Sequence, residues 1–403
     1  MKVSLYLKRN IDRLINEDTD PINAAKKIVS SIQRLVGIHD VFGDKENTIT
    51  IMSAIVLTGS FLYLGTFSQI IYIVQVMPNK VETFKGMNCL SSTCVPLSQN
   101  IFMWTSRGRL RAIIEMCRQG LSAIPAENKA HARLVNTLSA ARYVSWLVVI
   151  CNTFSHLTYV LLPLLFTIFG NERYLPITPG DAYGLSPKYE SPFYEATYVL
   201  TVTGTFFSLI NQSGYILLFV TLIAHELGHC YVITEILNQT FHIISNDDGT
   251  ENVETLKTVE DNLKFCVKHH QFLNKFHSKI RDLYKIIFGA HFLMMIVVLV
   301  TTMLTFNAWD IRNTVLTTIT GITPLIIYCF GGETLISAGD ELSHAVYSCG
   351  WQMMKVKQAK ITLLMLCLTQ QPLHLTAADI FIMNRETFGN IVEFIYKIYA
   401  VFN

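Results

Sequence analysis

Five consecutive residues could do chemistry by type and spacing alone. His225-Glu226-Leu227-Gly228-His229 is an HExxH sequence. On a helix, residues four apart share a face, so both imidazoles could grip one Zn²⁺ while Glu226 polarised its water. That is the chemistry of a membrane-embedded zinc metalloprotease. A catalytic zinc needs a third protein ligand, however. The intramembrane zinc proteases take an Asp from a later span, and here Asp310, Asp340 and Asp379 all fall between or before spans. Asp247-Asp248-Gly249 resembles part of their second motif but lies too close along the chain. Tyr231 to Leu237 is expected to continue toward solvent, with His225, Glu226 and His229 hydrated at the end of a membrane helix. The motif is therefore read as a decoy: no metal, no cofactor and no enzyme is expected.

The elements that must position these residues follow from composition. The chain has 403 residues, 51% apolar and only 15% charged, against about 25% charged in an ordinary soluble protein. Mean hydropathy is +0.36. Such a chain cannot dress several soluble domains with charge, and a net charge of +2 gives no electrostatic footprint for nucleic acid. Nine cysteines form neither a disulfide framework nor a CxxC pair. The class predicted is an all-α, polytopic membrane protein. Spans of about 20 apolar residues are expected over 49–74, 143–169, 194–224, 284–306 and 314–337, with weaker ones over 81–104 and 380–402.

Charge orients these seven spans. Of the 32 Lys and Arg, 25 lie in the N-terminal segment and in the second, fourth and sixth connections, and five in the odd-numbered connections. The positive-inside rule then places the N-terminus in the cytoplasm and the C-terminus outside. A G-protein-coupled receptor has the reverse polarity. The interspersed charges of 1–20 leave no apolar h-region for a signal peptide. The sequons at Asn211 and Asn238 fall in a span and in cytoplasm, where glycan is not expected.

Two connections have character of their own. The third holds Pro176, Pro179, Gly180, Gly184, Pro187 and Pro192, an irregular and stiffened loop suited to a lid. In the fourth, Leu256, Val259, Leu263, Val267, His270, Leu273, Phe276, Ile280 and Leu283 recur every three or four residues. This stripe runs without Pro or Gly into the fifth span, which predicts one long helix projecting into a packed cytoplasmic domain.

The last fifth of the chain carries a resemblance. Tyr328-Cys329-Phe330-Gly331-Gly332-Glu333 is followed by Ser337, Leu342, Ala345-Val346-Tyr347 and Trp351. Then come Pro372-Leu373-His374-Leu375-Thr376-Ala377, Glu386-Thr387-Phe388, Ile391-Val392, Tyr396, Tyr399 and Val401. This run resembles the C-terminal signature of the insect odorant receptor family, with the block spacings kept. It departs from that signature at Ala378-Asp379, where a Gly is usual, at Glu393, where Lys is common, and at Lys397-Ile398.

The resemblance implies an odorant-gated, non-selective cation channel subunit in the plasma membrane of olfactory sensory neurons. Its partners would be odorant co-receptor subunits in a heterotetramer, a small volatile odorant and membrane lipid. It implies an odorant-tuning subunit, because the co-receptor's long connection between spans four and five is missing. The implied organisation is a cytoplasmic segment 1–48, membrane helices over 49–337, an anchor region from 225–283 and 338–376, and a pore-lining helix over 377–403. A helix over 355–369 would precede that last span.

By the same resemblance the odorant pocket lies in the outer halves of spans two, three, four and six. Those halves hold Met87, Leu90 and Cys94; Phe154, Leu157 and Thr158; Tyr198, Thr201, Val202 and Thr205; and Thr317 and Ile319. A volatile ligand has few polar atoms, so an apolar site with one or two hydrogen-bonding groups is expected. Asn152, Asn211 and Gln212, polar in mid-span, are expected to bond between helices. In the last helix Ile391, Ile395, Ile398 and Phe402 recur at helical spacing, beside Val401. A ring of such side chains can block ions by dewetting, and Val401 is the position expected to form the gate.

Overall fold

The structure is a computed structural model and describes residues 48–124, 129–170, 172–176, 183–245, 253–309 and 311–402. The expected segment 1–47 lies outside these residues, as do Pro179, Gly180, Asp247, Asp248, Gly249, Asp310 and the side chains of Arg312 and Phe402. The described residues are almost wholly helical. Helix α1 (Thr48–Phe61) continues through a π-helical turn at Leu62–Phe67 into α2 (Ser68–Val76). Then follow α3 (Lys80–Thr105), α4 (Arg107–Ser122), α5 (Lys129–Phe169) and α6 (Phe193–Ser245). The chain continues with α7 (Val253–Leu304), α8 (Ile311–Tyr347) and α9 (Val356–Thr369). It closes with a two-residue hairpin, β1 (Thr376–Ala377) and β2 (Phe381–Ile382), and α10 (Arg385–Phe402).

Five helical stretches are long and apolar enough to cross a membrane: Ile55–Val76, Lys129–Phe169, Phe193–Ser245, Glu254–Leu304 and Thr314–Met353. They match the five strong expected spans. The two weaker ones are α3, which opens with Lys80, Glu82 and Lys85, and α10, whose 18 residues include Arg385, Glu386, Glu393 and Lys397. Pairing moderates both. Glu82 accepts from Tyr72 at 2.6 Å and pairs with Lys85 at 2.9 Å, and Glu393 pairs with Lys397 at 2.7 Å one turn away.

Helices α6 and α7 form the spine. At 1.5 Å per residue, each of these helices of 53 and 52 residues is about 80 Å long. Neither contains proline, and each exceeds a hydrocarbon core of about 30 Å by more than half its length. The predicted stripe on α7 is buried: Val259, Leu263, His270, Leu273, Phe276, Ile280 and Leu283 are all 4% exposed or less. It packs against the second half of α6, where His225, Glu226, His229, Cys230, Val232, Ile233 and Leu237 are equally enclosed. Nearer the middle, Tyr215, Phe219, Tyr284, Phe288 and Tyr328 join α6, α7 and α8 in one aromatic cluster, mostly edge to face, with ring centroids 5.0–6.2 Å apart.

The C-terminal motif is a docking seam. A Cβ on Gly332 would lie 2.0 Å from the Met383 carbonyl oxygen, so only glycine lets the hairpin reach α8. Glu333 accepts the Arg385 N–H at 3.3 Å, and Leu375, Ala377 and Met383 are fully buried. At the hairpin turn Ala378 and Asp379 both have positive φ, 55° and 57°. This explains why glycine is usual there: an L side chain in that conformation costs about 1–2 kcal/mol. The turn is held by Ala378 N–H to the Lys285 carbonyl at 2.8 Å and by the Lys285–Asp379 ion pair at 2.7 Å.

Two expectations are corrected. The last helix starts at Arg385, not at 377 or 380, because the hairpin occupies 376–382 and Asn384 caps the helix by accepting the Thr387 N–H at 2.8 Å. The HExxH residues are not hydrated. His225, Glu226 and His229 are 1%, 0% and 0% exposed, because α6 continues past the span as the centre of a helical bundle.

Candidate functional site

A cavity of about 210 Å³ lies among α1, α2, α3, α5, α6 and α8. From His225, its wall on α6 lies roughly 25 to 40 Å back along the helix. Its walls come from Ser60, Phe61, Leu64 and Gly65 of α1 and the π turn, with Gln69 of α2. Helix α3 contributes Asn88, Cys89, Ser92 and Thr93, and α5 contributes Ser155, His156 and Tyr159. The remainder is Leu200, Thr201, Gly204, Thr205 and Ser208 of α6, Trp309, and Leu316, Thr317 and Thr320 of α8.

Local structure explains the opening. The π turn frees the Gly65 carbonyl, which accepts from Thr93 at 2.8 Å, and a Cβ at Gly65 would lie 2.6 Å from Thr93. Gly204 lets α6 approach Phe61, whose ring lies 5.0 Å from that of Phe207. Asn88, 1% exposed, clamps α3 to α7 through Val298 O, Thr301 Oγ1 and Thr302 Oγ1 at 2.9, 3.0 and 2.7 Å. Described parts of the loop after α5 reach the first span, where the Tyr63 hydroxyl donates to the Tyr183 carbonyl. The rings of Phe67 and Tyr183 meet edge to face at 6.3 Å.

Of the twelve expected pocket residues, Thr201, Thr205 and Thr317 line this cavity. Met87, Phe154, Leu157 and Ile319 lie on outward faces, 38–70% exposed. Leu90, Cys94, Thr158, Tyr198 and Val202 are half-buried beside it without lining it. Tyr198 instead donates to the Val160 carbonyl at 2.6 Å. Sequence reasoning missed the first span's share and the polar face of α3. The available signal was the run of polar residues at Asn88, Ser92 and Thr93, one helical step from those chosen. The mid-span amides do bond between helices: Asn152 to Ser213 at 3.2 Å and Asn100 to Asn211 at 3.2 Å.

In α10, Ile391 and Ile395 are buried in the chain's own core at 7% and 8% exposure, and Ile398 is half-buried. Val401 is 81% exposed.

The HExxH geometry is that of a packed imidazole cluster. Glu226 Oε1 lies 3.1 Å from His277 Nδ1, and His229 Nδ1 lies 3.1 Å from His269 Nε2. A Cβ on Gly120 of α4 would come within 2.7 Å of His229 Nε2, so the α4 backbone fills the place a metal would take. Among the described residues, none form a group of three or more His, Cys, Asp or Glu suited to a metal. Burial pushes His225 and His269 down to about 4, and lowers His229 further with help from its two imidazole neighbours. All three are neutral at pH 7.

A family model described as 7tm Odorant receptor matches residues 79–396. The chain belongs to the odorant receptor family. It is thus a multi-pass membrane receptor and not an enzyme. Odorant receptor 10a of Drosophila melanogaster is 23% identical to it over 65% of this chain and 66% of that one. Odorant receptor 24a of the same fly is 22% identical over 84% and 86%. In fold the receptor is similar to the insect olfactory receptor OR5 from Machilis hrabei, solved in complex with eugenol. That match has a TM-score of 0.76 at 15% identity and covers 97% of this chain and 99% of the other. A second structure of OR5 gives a TM-score of 0.74 over 93% and 96%.

Proposed function

We propose that this receptor is an odorant-tuning subunit of a ligand-gated, non-selective cation channel. The observation that carries the reading is the cavity of about 210 Å³ between membrane helices of an odorant receptor, of a size for one small volatile molecule. Opening requires only that this molecule bind the open state better than the closed one. The functional arrangement proposed is a cytoplasmic N-terminus, an outer ligand pocket, an inner anchor from 225–283 and 338–376, and α10 as the pore wall. The Lys and Arg asymmetry supports that orientation.

Partnership with odorant co-receptor subunits in a heterotetramer is supported by surfaces that a single chain leaves bare. Leu363, Leu364 and Leu368 of α9 are 52–67% exposed, as is Val356 at 71%. In α10 the proposed gate is Val401, the most exposed of the expected pore residues whose side chains are described. Ile391 and Ile395 would brace the helix from behind. The proposed setting is the plasma membrane of olfactory sensory neurons.

The test is co-expression with and without the co-receptor while recording currents evoked by a broad odorant panel. Cation current only with the partner is the expected result. Absence of current across the panel, with the receptor demonstrably at the cell surface, would overturn the reading.

A further inference from the structure

The cavity is lopsided in its hydrogen-bonding character, and this bears on what it can hold. Ser60, Thr201, Thr205 and Thr320 each donate their one hydroxyl proton to a carbonyl of their own helix, at 2.8–2.9 Å. Thr93 does the same toward Leu90 or Gly65, both at 2.8 Å. What these groups offer the cavity is lone pairs.

Two further groups are fixed acceptors. Thr301 and Thr302 have already donated to α7 carbonyls at 2.7 Å, so Asn88 must present its NH₂ to them. Its Oδ1 is left over. Gln69, 1% exposed, donates Nε2 to the Leu64 carbonyl at 3.2 Å, and its Oε1 is enclosed by protein and turned away from the cavity, so it adds no donor there. His156 Nδ1 lies 2.9 Å from the Asn152 carbonyl, which can only accept. That nitrogen therefore carries the ring proton, and Nε2 is a bare acceptor. Ser92, Ser155, Ser208 and Thr317 have rotatable hydroxyls that serve either sense, while Trp309 supplies a donor. The fixed balance favours a ligand that gives a proton. Among the described residues no carboxylate lines the cavity, so a cationic donor such as an ammonium would go uncompensated.

Resting on the odorant-pocket reading above, we infer that this cavity selects small neutral hydroxyl compounds, alcohols and phenols, over ethers and ketones of the same shape. An ether or carbonyl oxygen in that place would set lone pair against lone pair. A buried polar group left unmatched is the strongest lever of selectivity available to a site of this kind.

The experiment uses matched pairs on the full chain co-expressed with the co-receptor: a phenol against its methyl ether, and a secondary alcohol against its ketone. Surface delivery is verified by biotinylation. The hydroxyl member should be at least about tenfold more potent in half-maximal concentration. His156→Phe should narrow that ratio, by weakening the response to the hydroxyl member more than that to its partner. Thermal shift of the purified wild-type chain with the same pairs gives a readout independent of gating and of any variant's folding. Equal or better response to ether and ketone, in current or in thermal shift, overturns the inference and leaves the pocket reading standing. Silence toward every compound in both assays overturns the pocket reading and the inference together.

Discussion

Ala378 sits in a left-handed turn with φ 55° and makes no use of its methyl group that glycine could not replace. The Cβ has room only because residue 289 is glycine: a Cβ added there would lie 2.6 Å from it. Ala378→Gly should therefore stabilise the hairpin by about 1 kcal/mol, seen as a higher melting temperature of the detergent-purified chain. Asn88→Leu should act oppositely. It removes three bonds to α7, and at typical strengths for polar contacts between membrane helices the loss is about 1–2 kcal/mol. The glycine departure at 378 could be read from the sequence, but its strain could not, because backbone dihedrals are set by the docking of the hairpin on Lys285. The cavity was legible only in part. Phe154, Leu157 and Ile319 look like pocket material because they are apolar, yet in a bilayer the most apolar face meets lipid. Threonines and serines, inconspicuous in a span, line the interior.

At the scale of elements, periodicity did what it can do. The stripe from Val259 to Leu283 marked a packed helix, and it is packed. The final helix was harder: Phe381 and Ile382 continue its apolar run, so only the turn geometry at Ala378 and Asp379 separates hairpin from helix. HExxH shows the limit of a motif, since the same spacing that suits zinc also suits packing of α6 against α4 and α7. Gly120→Ala should lower stability by about 1–3 kcal/mol, because its methyl group would meet His229 and Phe272 within 2.8 Å, checked by thermal melting. Acid should loosen the same contact. An imidazole with a folded value of about 4 against an unfolded value of 6.5 binds protons more readily once unfolded. The stability held by His225 and His269 is thus complete above about pH 6.5 and falls as pH drops toward 4. Between pH 7.5 and 5 the loss is roughly 2 kcal/mol per imidazole. The melting temperature of the purified chain should fall over that window, and His225→Phe should flatten the dependence.

For the whole molecule, membrane class and helical order followed from composition and from the alternation of apolar runs with charged connections. The association of six helices around one cavity did not. It depends on long-range pairings such as Asn88 with Thr302, which no local pattern encodes. Epitope tags test the proposed orientation: an N-terminal tag should stain only after permeabilisation, and a C-terminal tag should stain intact cells. The unbroken helix α6 ties the ends of the receptor together. It carries Thr201 and Thr205 on the cavity wall and His225 to His229 in the bundle farther along, and it contains no proline. Its neighbours α3, α5 and α8 each contain one, at Pro96, Pro163 and Pro324. A nudge from a bound guest would thus travel down a stiff push-rod, while the proline-bearing helices around it supply the joints that let it swing.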